Sequence, residues 1–361
     1  MPAQPTTLII GGGIAGLAAA ALPELDGAVT LLETEPRTFA HSSGRNAAIF
    51  RPLEESECLS ELAVRSEHLL RELDAPAGVL QRQGLLLAAT TSVALNPLLA
   101  TAVAMGLPHH LLARRELEHC CPLLEGGECD VAIHLPDAGV LELELLETWL
   151  RRRLNARGIT LRTGAKVTAI RRQATRVEGV VLSSGEQLNA DRVVIAAGAW
   201  SAGLGDGCGC PLPIAPHRRH LVQFTARQAV SSLPVAWNVE RNVYVKAHGP
   251  MLVASPGDHT PHAPGLPAVD EALLGSFQGT LAKLGPGLAD LPRERAWACL
   301  RTVTPDGHPV VGADPRLQGL YWFAGLGGVG MTTGLACAQR LGLAFAGGPP
   351  NPKLDPARWL D

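Results

Sequence analysis

A glycine-rich turn between an apolar segment and an alanine-rich segment constrains the fold of this chain more than any other feature. The segment Thr7 to Ile10 predicts a buried strand, and Gly11-Gly12-Gly13-Ile14-Ala15-Gly16 follows it directly. In such a turn Gly11 permits the bend, Gly13 lets the backbone approach a pyrophosphate, and Gly16 lets the next helix pack on the strand. The turn therefore predicts a βαβ unit whose helix N-terminus faces phosphate groups.

The residue that ends the second predicted strand supports the same interpretation. Glu33 follows the apolar segment Val29 to Leu32, about twenty residues after Gly13. A carboxylate at this point can accept hydrogen bonds from both ribose hydroxyls of an adenosine, and it repels a 2′-phosphate. Strand, turn, helix, second strand and terminal acid occur in the expected order, so the sequence predicts a bound dinucleotide.

Two further segments favour FAD over NAD. The segment His41-Ser42-Ser43-Gly44-Arg45-Asn46 places hydroxyls and a guanidinium where a longer cofactor continues past its pyrophosphate. Near the C-terminus, the predicted strand Leu320 to Ala324 leads through a glycine cluster, Gly325 to Gly330, into a predicted helix. The N–H groups of that helix can stabilise the negative charge that a reduced flavin carries at N1 and O2. FAD is the predicted cofactor.

Composition limits the other partners of the chain. The 361 residues carry 31 Lys plus Arg against 34 Asp plus Glu, so no broad charged field indicates nucleic acid. Polar residues and a proline divide the longest uncharged stretch, Gln83 to Leu107, so no transmembrane segment is expected. The N-terminus lacks the basic region of a signal peptide, which favours a cytoplasmic protein. The eight cysteines lack zinc-site spacing, so no metal is expected.

The order of these segments predicts an α/β fold: a Rossmann-like FAD-binding domain with an inserted substrate-binding domain of the α+β class. Alternating runs at 221–224, 242–246 and 251–254 indicate an antiparallel sheet in the insertion. The predicted FAD-binding domain comprises residues 1–83, 131–210 and 303–361. The predicted substrate-binding domain comprises residues 84–130 and 211–302.

Several motifs together resemble the D-amino-acid oxidase superfamily of FAD enzymes, which includes glycine oxidase, sarcosine oxidase and D-amino-acid dehydrogenases. They are HSSGRNAA, VVIAAGAWS at 193–201, LRTVTPDGHPVVG at 300–312 and the two glycine turns. Within the superfamily the similarity is greatest to D-arginine dehydrogenase. The resemblance implies oxidation of the C–N bond of a small amino acid or amine by hydride transfer to flavin N5, giving an imine that hydrolyses to an oxo acid.

The expected cofactor-binding residues lie in seven segments of the chain. They are Gly11, Gly13, Ile14, Ala15, Gly16, Glu33, Thr34, Ser42, Ser43, Gly44, Arg45, Asn46, Ala47, Ala48, Val167, Ala197, Gly198, Trp200, Arg301, Gly327, Gly328, Val329, Gly330, Met331 and Thr332.

Three residues are expected at the substrate. The resemblance assigns Arg301 to the substrate carboxylate, Tyr244 to a position beside it, and Arg219 to a second arginine that faces the substrate. A planar guanidinium suits bidentate recognition of a carboxylate, and a phenol supplies a further donor. The residues alone leave other roles open: a salt bridge for Arg301, core packing for Tyr244 and a solvated strand face for Arg219.

The chain also departs from the D-arginine enzyme. Gly84 stands where that enzyme has the acid that holds a cationic side chain, and Ile49 stands in place of its active-site histidine. A substrate with a neutral or apolar side chain, or a small cyclic amine, is therefore expected. Cys299 lies in a stretch similar to the one that carries a covalent flavin in monomeric sarcosine oxidases, but the remaining pattern favours non-covalent FAD.

Two other functions are compatible with the same scaffold. An L-2-hydroxy-acid dehydrogenase would need a histidine base, for which His41, His220 and His308 are candidates. A flavin-holding subunit of a multi-subunit amine dehydrogenase would transfer electrons to a partner. The sequence leaves the electron acceptor and the oligomeric state open.

Overall fold

The structure is a computed structural model that describes residues 4–22, 25–227 and 229–360. Its strands are β1 (Thr7–Ile10), β2 (Val29–Leu32), β3 (Ile49–Phe50), β4 (Leu80–Arg82), β5 (Leu85–Ala89), β6 (His110–Ala113), β7 (Val131–Leu135), β8 (Gly139–Leu141), β9 (Thr160–Arg162), β10 (Val167–Gln173), β11 (Arg176–Leu182), β12 (Gln187–Asn189), β13 (Arg192–Ile195), β14 (Ala215–Thr225), β15 (Val235–Asn238), β16 (Val243–His248), β17 (Met251–Ser255), β18 (Thr260–Pro261), β19 (Arg293–Val303), β20 (Val310–Ala313) and β21 (Leu320–Ala324). Its α-helices are α1 (Ile14–Ala21), α2 (Ser42–Arg45), α3 (Glu57–Glu72), α4 (Asn96–Ala104), α5 (Arg114–Cys120), α6 (Leu143–Ala156), α7 (Ser201–Gly207), α8 (Glu271–Leu284) and α9 (Gly330–Phe345).

A six-stranded sheet with the order β20-β21-β13-β1-β2-β9 forms the first part of the molecule. Strand β1 lies parallel to both β13 and β2, β21 lies parallel to β13, and β20 is an antiparallel edge strand. The carboxyl ends of β1, β2, β13 and β21 therefore meet along one edge, which is where open parallel sheets bind ligands.

Alternation along β1 explains how this sheet is covered on both faces. Ile9 contacts a core on one side, where α1 packs between α6 and α9. Leu8 and Ile10 point to the opposite side, into a second core that includes the small antiparallel sheet β10-β11-β12. Every residue of α1 is buried, and its small side chains let the helix lie close to the strands.

A nine-stranded sheet forms the second part, in the order β18-β14-β17-β16-β15-β5-β7-β6, with β19 paired to β14. All of its neighbouring pairs are antiparallel except β5 with β15. One face packs in a core with α8, through residues such as Val245, Ala254 and Phe277. The other face carries Leu221, Tyr244 and Cys299 and turns toward the parallel sheet. The predicted α/β class with an antiparallel second sheet is confirmed.

One strand differs from the predicted domain boundaries. Residues 131–135 were expected in the FAD-binding domain, but β7 pairs with β5 and β6 in the nine-stranded sheet. The chain returns toward the first part only with β8, which pairs with β3 and β4. Strand propensity along Val131–Leu135 does not identify the partner strand, so the sequence did not reveal this pairing.

Two kinds of structural feature are absent from the part of the chain that the structure describes. No helix among residues 4–22, 25–227 and 229–360 is long and apolar enough to cross a membrane. The same part of the chain contains no group of three or more His, Cys, Asp or Glu side chains placed to hold a metal ion.

Candidate active site

An elongated cavity of about 750 Å³ runs from the carboxyl edge of the parallel sheet to the inner face of the nine-stranded sheet. Glu33 and Trp200 line one end, which we call the adenosine end. Arg219, Tyr244 and Arg301 line the other end, which we call the arginine end. Segments far apart in the sequence thus share one cavity.

The first glycine turn is required by close backbone contacts. Gly11 has φ +111°, and a Cβ there would lie 2.4 Å from the Ala196 carbonyl oxygen. A Cβ on Gly16 would lie 1.7 Å from the Gly11 carbonyl oxygen, so α1 packs on β1 only without a side chain. At the helix N-terminus, the Ile14 N–H donates to Ser43 Oγ at 2.9 Å. This hydrogen bond joins the turn to the HSSGR segment at the cavity wall.

The Glu33 carboxylate is fixed by backbone groups at the carboxyl end of β2. Its Oε2 accepts from the Gly12 N–H at 2.5 Å, and its Oε1 accepts from the Glu35 N–H at 2.7 Å. The side chain is largely buried but lines the cavity, so its remaining lone pairs are available to a ligand there.

The segment around α2 connects the two parts of the molecule. Ser42 Oγ donates to the Leu300 carbonyl at 2.6 Å, and Trp297 Nε1 donates to the Arg45 carbonyl at 2.8 Å. Both Leu300 and Trp297 belong to β19. The wall of the cavity at α2 is therefore held against the strand that carries Arg301.

The second glycine turn brings the N-terminus of α9 to the cavity. Gly327 has φ +54°, and its N–H donates to the Thr302 carbonyl at 2.6 Å. A Cβ on Gly328 would lie 2.8 Å from Arg301 Nη1, so the Arg301 guanidinium lies directly against this backbone. The turn and the first residues of α9, from Gly327 to Thr332, all line the cavity.

Antiparallel pairing of β14 with β19 brings the two arginines together. His217 pairs with Arg301 and Arg219 pairs with Cys299, so all four side chains lie on the same face and the arginines are diagonal neighbours. Arg301 has no hydrogen-bond acceptor among the residues the structure describes. Two cations therefore face one cavity.

Arg219 is the more deeply buried of the two. Its side chain is 2% exposed, and its Nε and Nη1 have no acceptor within the described residues. Burial, and then the positive charge of Arg301, lower the pKa of Arg219 to about 10. Burial also raises the pKa of Tyr244, which is 2% exposed. The phenol is therefore a donor and not a base at neutral pH.

A tilted pair of aromatic rings that the sequence did not reveal lines the same end of the cavity. The Trp237 and Tyr244 rings are 4.7 Å apart, and the Arg51 guanidinium lies over Trp237 at 4.6 Å. Arg51 is held there by Glu54, whose Oε1 accepts from Arg51 Nε at 2.7 Å. The three-residue spacing of Arg51 and Glu54 was the only sequence signal, and it does not indicate a cavity wall.

The two residues that depart from the D-arginine enzyme occupy different places. Ile49 lines the cavity and packs with the apolar side chains of its wall. Gly84 is not among the lining residues; it has φ +85°, and a Cβ there would lie 2.8 Å from His134 Nε2. At the arginine end, the carboxylate that does line the cavity is Glu54, which is already paired with Arg51.

The three candidate histidines are not at the arginine end. His41 lines the cavity at the adenosine end, where it contacts Glu35 and packs on Trp200 with ring centroids 4.8 Å apart. His220 is buried on the opposite face of β14, between Asp258 and a backbone N–H. His308 contacts Ser56 outside the cavity. Among the described residues, no histidine lines the arginine end.

Most of the expected cofactor-binding residues line the cavity, but Gly16 and Gly44 do not. A Cβ on Gly44 would lie 2.1 Å from the Phe39 carbonyl oxygen, so both glycines permit close packing behind the wall. Cys299 lines the cavity as a buried thiol. Burial raises its pKa although Arg301, Arg45 and Arg219 oppose the shift. The expected residues that line the cavity are Gly11, Gly13, Ile14, Ala15, Glu33, Thr34, Ser42, Ser43, Arg45, Asn46, Ala47, Ala48, Val167, Ala197, Gly198, Trp200, Arg301, Gly327, Gly328, Val329, Gly330, Met331 and Thr332.

The parallel sheet, the glycine turn and the cavity at the carboxyl edge define a dinucleotide-binding protein. Residues 6–342 match the family model described as FAD dependent oxidoreductase, and the chain belongs to this family.

The individual relatives of this chain have low sequence identity to it. The chain is 26% identical to the mitochondrial sarcosine dehydrogenase of Homo sapiens over 94% of its length, and it spans 39% of that protein. It is 31% identical to the glycine oxidase of Pseudomonas aeruginosa over 52% of its length, which is 50% of that enzyme. The chain thus spans half or less of these relatives in the matched regions. The crystal structure of the L-proline dehydrogenase of P. horikoshii superposes with a TM-score of 0.87 over 99% of this chain and 98% of that chain, at 21% identity, and shows the same fold.

FAD, the cofactor of this family, fits the residues of the cavity. The cavity is elongated, and backbone at both glycine turns reaches it without side chains. The α1 and α9 N-termini lie at two points along it, and Glu33 supplies fixed acceptors at one end. These features suit a long ligand that has a pyrophosphate and a second electron-rich group.

Proposed function

We propose that the chain oxidises the C–N bond of a small amino acid or secondary amine that carries a carboxylate. The observation behind this proposal is the arginine end: Arg219 and Arg301 have no hydrogen-bond acceptor among the described residues, and the surrounding wall includes the apolar side chains of Ile49, Leu221 and Trp237. An anion with an apolar remainder matches both properties. D-amino acids, glycine and N-alkyl amino acids with neutral side chains are the proposed substrates.

The cofactor would be held by the residues that the sequence indicated. Glu33 would accept from the ribose hydroxyls, and the α1 N-terminus with Ser43 would face the pyrophosphate. The Gly327–Thr332 segment would supply N–H groups to the flavin. When bound, FAD supplies the acceptor, at N5, for the hydride that leaves the substrate Cα.

The substrate carboxylate would be bound by Arg301 with Tyr244 as a further donor. This attachment orients the Cα–H bond, and positioning would contribute much of the rate. The imine product would be hydrolysed by water to an oxo acid and ammonia, or to an oxo acid and a primary amine for an N-alkylated substrate.

Anaerobic mixing of the purified yellow protein with D- and L-amino acids, glycine, sarcosine and proline tests this function. We expect one or more of them to bleach the flavin. Arg301→Ala should raise KM for that substrate by about tenfold or more, because a charge-assisted bidentate contact is lost. Arg295→Ala is the matched control, since Arg295 lies on the same strand but contacts Gln223 outside the cavity. An unchanged KM in Arg301→Ala would remove the carboxylate assignment.

Two other outcomes would support different functions. Bleaching only by lactate-like hydroxy acids would indicate a hydroxy-acid dehydrogenase, although no histidine among the described residues lines the arginine end. Bleaching only when a partner subunit is added would indicate a flavin-holding subunit of a larger amine dehydrogenase.

A further inference from the structure

The segment between β17 and α8, residues 256–270, contributes to the cavity wall, and we call it the rim loop. Gly265, Leu266 and Pro267 of this loop line the cavity. Leu266 is also 66% exposed, so it lies where the cavity opens to solvent. The rim loop therefore forms part of an opening of the cavity.

A single buried histidine binds the rim loop near both of its ends. His220 of β14 is 0% exposed, and its backbone N–H and its Nδ1 each lie 2.8 Å from a carboxylate oxygen of Asp258. On the other side of the ring, Nε2 accepts from the Asp270 N–H at 3.0 Å. One side chain thus joins the start of the rim loop to its end.

These contacts determine which ring nitrogen of His220 carries the proton. A backbone N–H is always a donor, so the Nε2 that faces the Asp270 N–H carries no proton. Burial alone would raise the pKa of Asp258, but the hydrogen bonds from His220 outweigh burial and leave the pKa lowered. An ionised carboxylate only accepts, so Nδ1 carries the proton. His220 is therefore a neutral imidazole with one donor and one acceptor, and both are used.

Between these two points the rim loop lies beside β14. The His262 N–H donates to the Pro216 carbonyl at 3.0 Å, and the His259 ring stacks on His217 with centroids 4.0 Å apart. The following residues, 264–269, have no hydrogen bond to any residue that the structure describes. The part of the loop that lines the cavity therefore depends on packing and on the contacts at its two ends.

The two ends of the rim loop do not depend equally on His220. Among the described residues, the Asp258 carboxylate accepts hydrogen bonds only from His220. The Asp270 side chain, in contrast, also accepts from Arg218 Nη2 at 2.9 Å, and it caps α8 through the Leu273 N–H at 3.1 Å. Loss of the His220 ring should therefore release the start of the loop more than its end.

Resting on the proposed function, we propose that His220 is a positioning residue for the substrate: it holds both ends of the rim loop, so that Leu266 and its neighbours retain the bound substrate. The imidazole does not line the cavity, and it acts through the loop. Loss of either ring hydrogen bond lets the loop move away from the opening, and the substrate then dissociates faster. Arg301 and Tyr244 are unchanged, so a bound substrate reduces the flavin at nearly the wild-type rate.

Two substitutions each remove one of the ring hydrogen bonds. His220→Asn places an amide nitrogen near the position of Nδ1, which keeps the donor to Asp258 and removes the acceptor for Asp270. His220→Gln places an amide oxygen near the position of Nε2, which keeps the acceptor and removes the donor. Because Asp258 is charged, we expect KM of the best substrate to rise about tenfold in His220→Gln and about threefold in His220→Asn. The limiting rate of flavin reduction should change by less than about twofold in both variants.

Leu266→Ala shows whether the effect passes through the rim loop. Alone it should raise KM about threefold, because part of an apolar contact with the substrate is lost. Combined with His220→Gln it should not raise KM beyond that of His220→Gln, since the loop is already displaced. Effects that multiply would overturn the proposal, because His220 would then act by another route, such as its neighbour Arg219. His308→Asn is the matched control: His308 contacts Ser56 at 2.8 Å outside the cavity, and its KM should be unchanged.

Hydrogen exchange of the holoenzyme tests the position of the rim loop without a substrate. The His262 amide donates to Pro216 in the wild type. It should exchange several times faster in His220→Asn and His220→Gln than in the wild type or His308→Asn, because the loop leaves β14 more often. Unchanged exchange in both His220 variants would overturn the proposal.

The contrary kinetic results are distinct from one another. An unchanged KM in both His220 variants would overturn the proposal, and a lower limiting rate at unchanged KM would show that His220 only stabilises the fold. If one of the two variants does not fold, the other is judged by the same criteria. Absence of flavin reduction by any amino acid or amine in the wild type would remove the proposed function and this inference together, whereas an unchanged KM in an active enzyme removes only the inference.

Discussion

Replacement of Glu33 by Gln is the sharpest test of how the cavity holds its cofactor. The carboxylate accepts one backbone N–H on each oxygen, from Gly12 at 2.5 Å and from Glu35 at 2.7 Å. Gln has one acceptor oxygen, so one of these N–H groups would face an NH₂ group. A buried donor left without an acceptor costs about 1–3 kcal/mol, and we expect the free energy of unfolding of the apoprotein to fall by that amount.

The effect on FAD binding follows from the charge of the acceptor. Hydrogen bonds to charged groups contribute about 1.5–3 kcal/mol and neutral ones about 0.5–1.5 kcal/mol, so two ribose hydroxyls would lose about 2–3 kcal/mol together. This corresponds to an increase in Kd for FAD of about 30- to 150-fold. The measurement is titration of deflavinated protein with FAD, followed by quenching of flavin fluorescence.

Glu35→Gln is the matched control. Its carboxylate lies near the same end of the cavity and contacts His41, while its backbone N–H, which binds Glu33, is unaffected by the substitution. We expect its Kd for FAD to change by less than about threefold. The reasoning is refuted if Glu33→Gln binds FAD as tightly as the wild type, or if both variants weaken binding equally.

Three further substitutions or treatments have defined outcomes. Gly16→Ala should lose FAD and lower Tm, because the new Cβ would lie 1.7 Å from the Gly11 carbonyl oxygen. A variant that binds FAD and has the Tm of the wild type would contradict the packing of α1 on β1. Burial alone would raise the pKa of Asp314, but hydrogen bonds from Arg316 and Trp322 outweigh burial and leave the pKa lowered. The ionised carboxylate therefore stabilises the fold at pH values above its unfolded-state pKa of about 3.9, and this stabilisation is lost as the pH falls below that value. Asp314→Asn should therefore lower stability by about 3 kcal/mol at pH 7 and flatten its loss in acid, as measured by urea unfolding at each pH. Acid precipitation should leave colourless protein and a yellow supernatant in both the wild type and Cys299→Ser, because the Cys299 thiol stays protonated and no covalent flavin is expected; a yellow wild-type pellet would contradict this.

Much of the first part of the fold could be predicted from the sequence. Strands β1, β2 and β21 have the predicted bounds. These elements depend on local rules: apolar runs form buried strands, and glycine is needed where backbones touch. The 131–135 segment shows the limit, because strand propensity does not select a partner strand.

The glycine turns, Glu33 and the family motifs were determined by the sequence itself, because each depends on residues that are adjacent along the chain. Only the tertiary structure placed Arg219 diagonal to Arg301, through the register of β14 with β19. It also placed Arg51 on Trp237 and left Gly84 outside the cavity. Side-chain packing and long-range strand register bring distant residues together, and no local spacing encodes them. The positive charge at the arginine end comes from residues that are distant in the sequence, so it is assembled only in the folded chain.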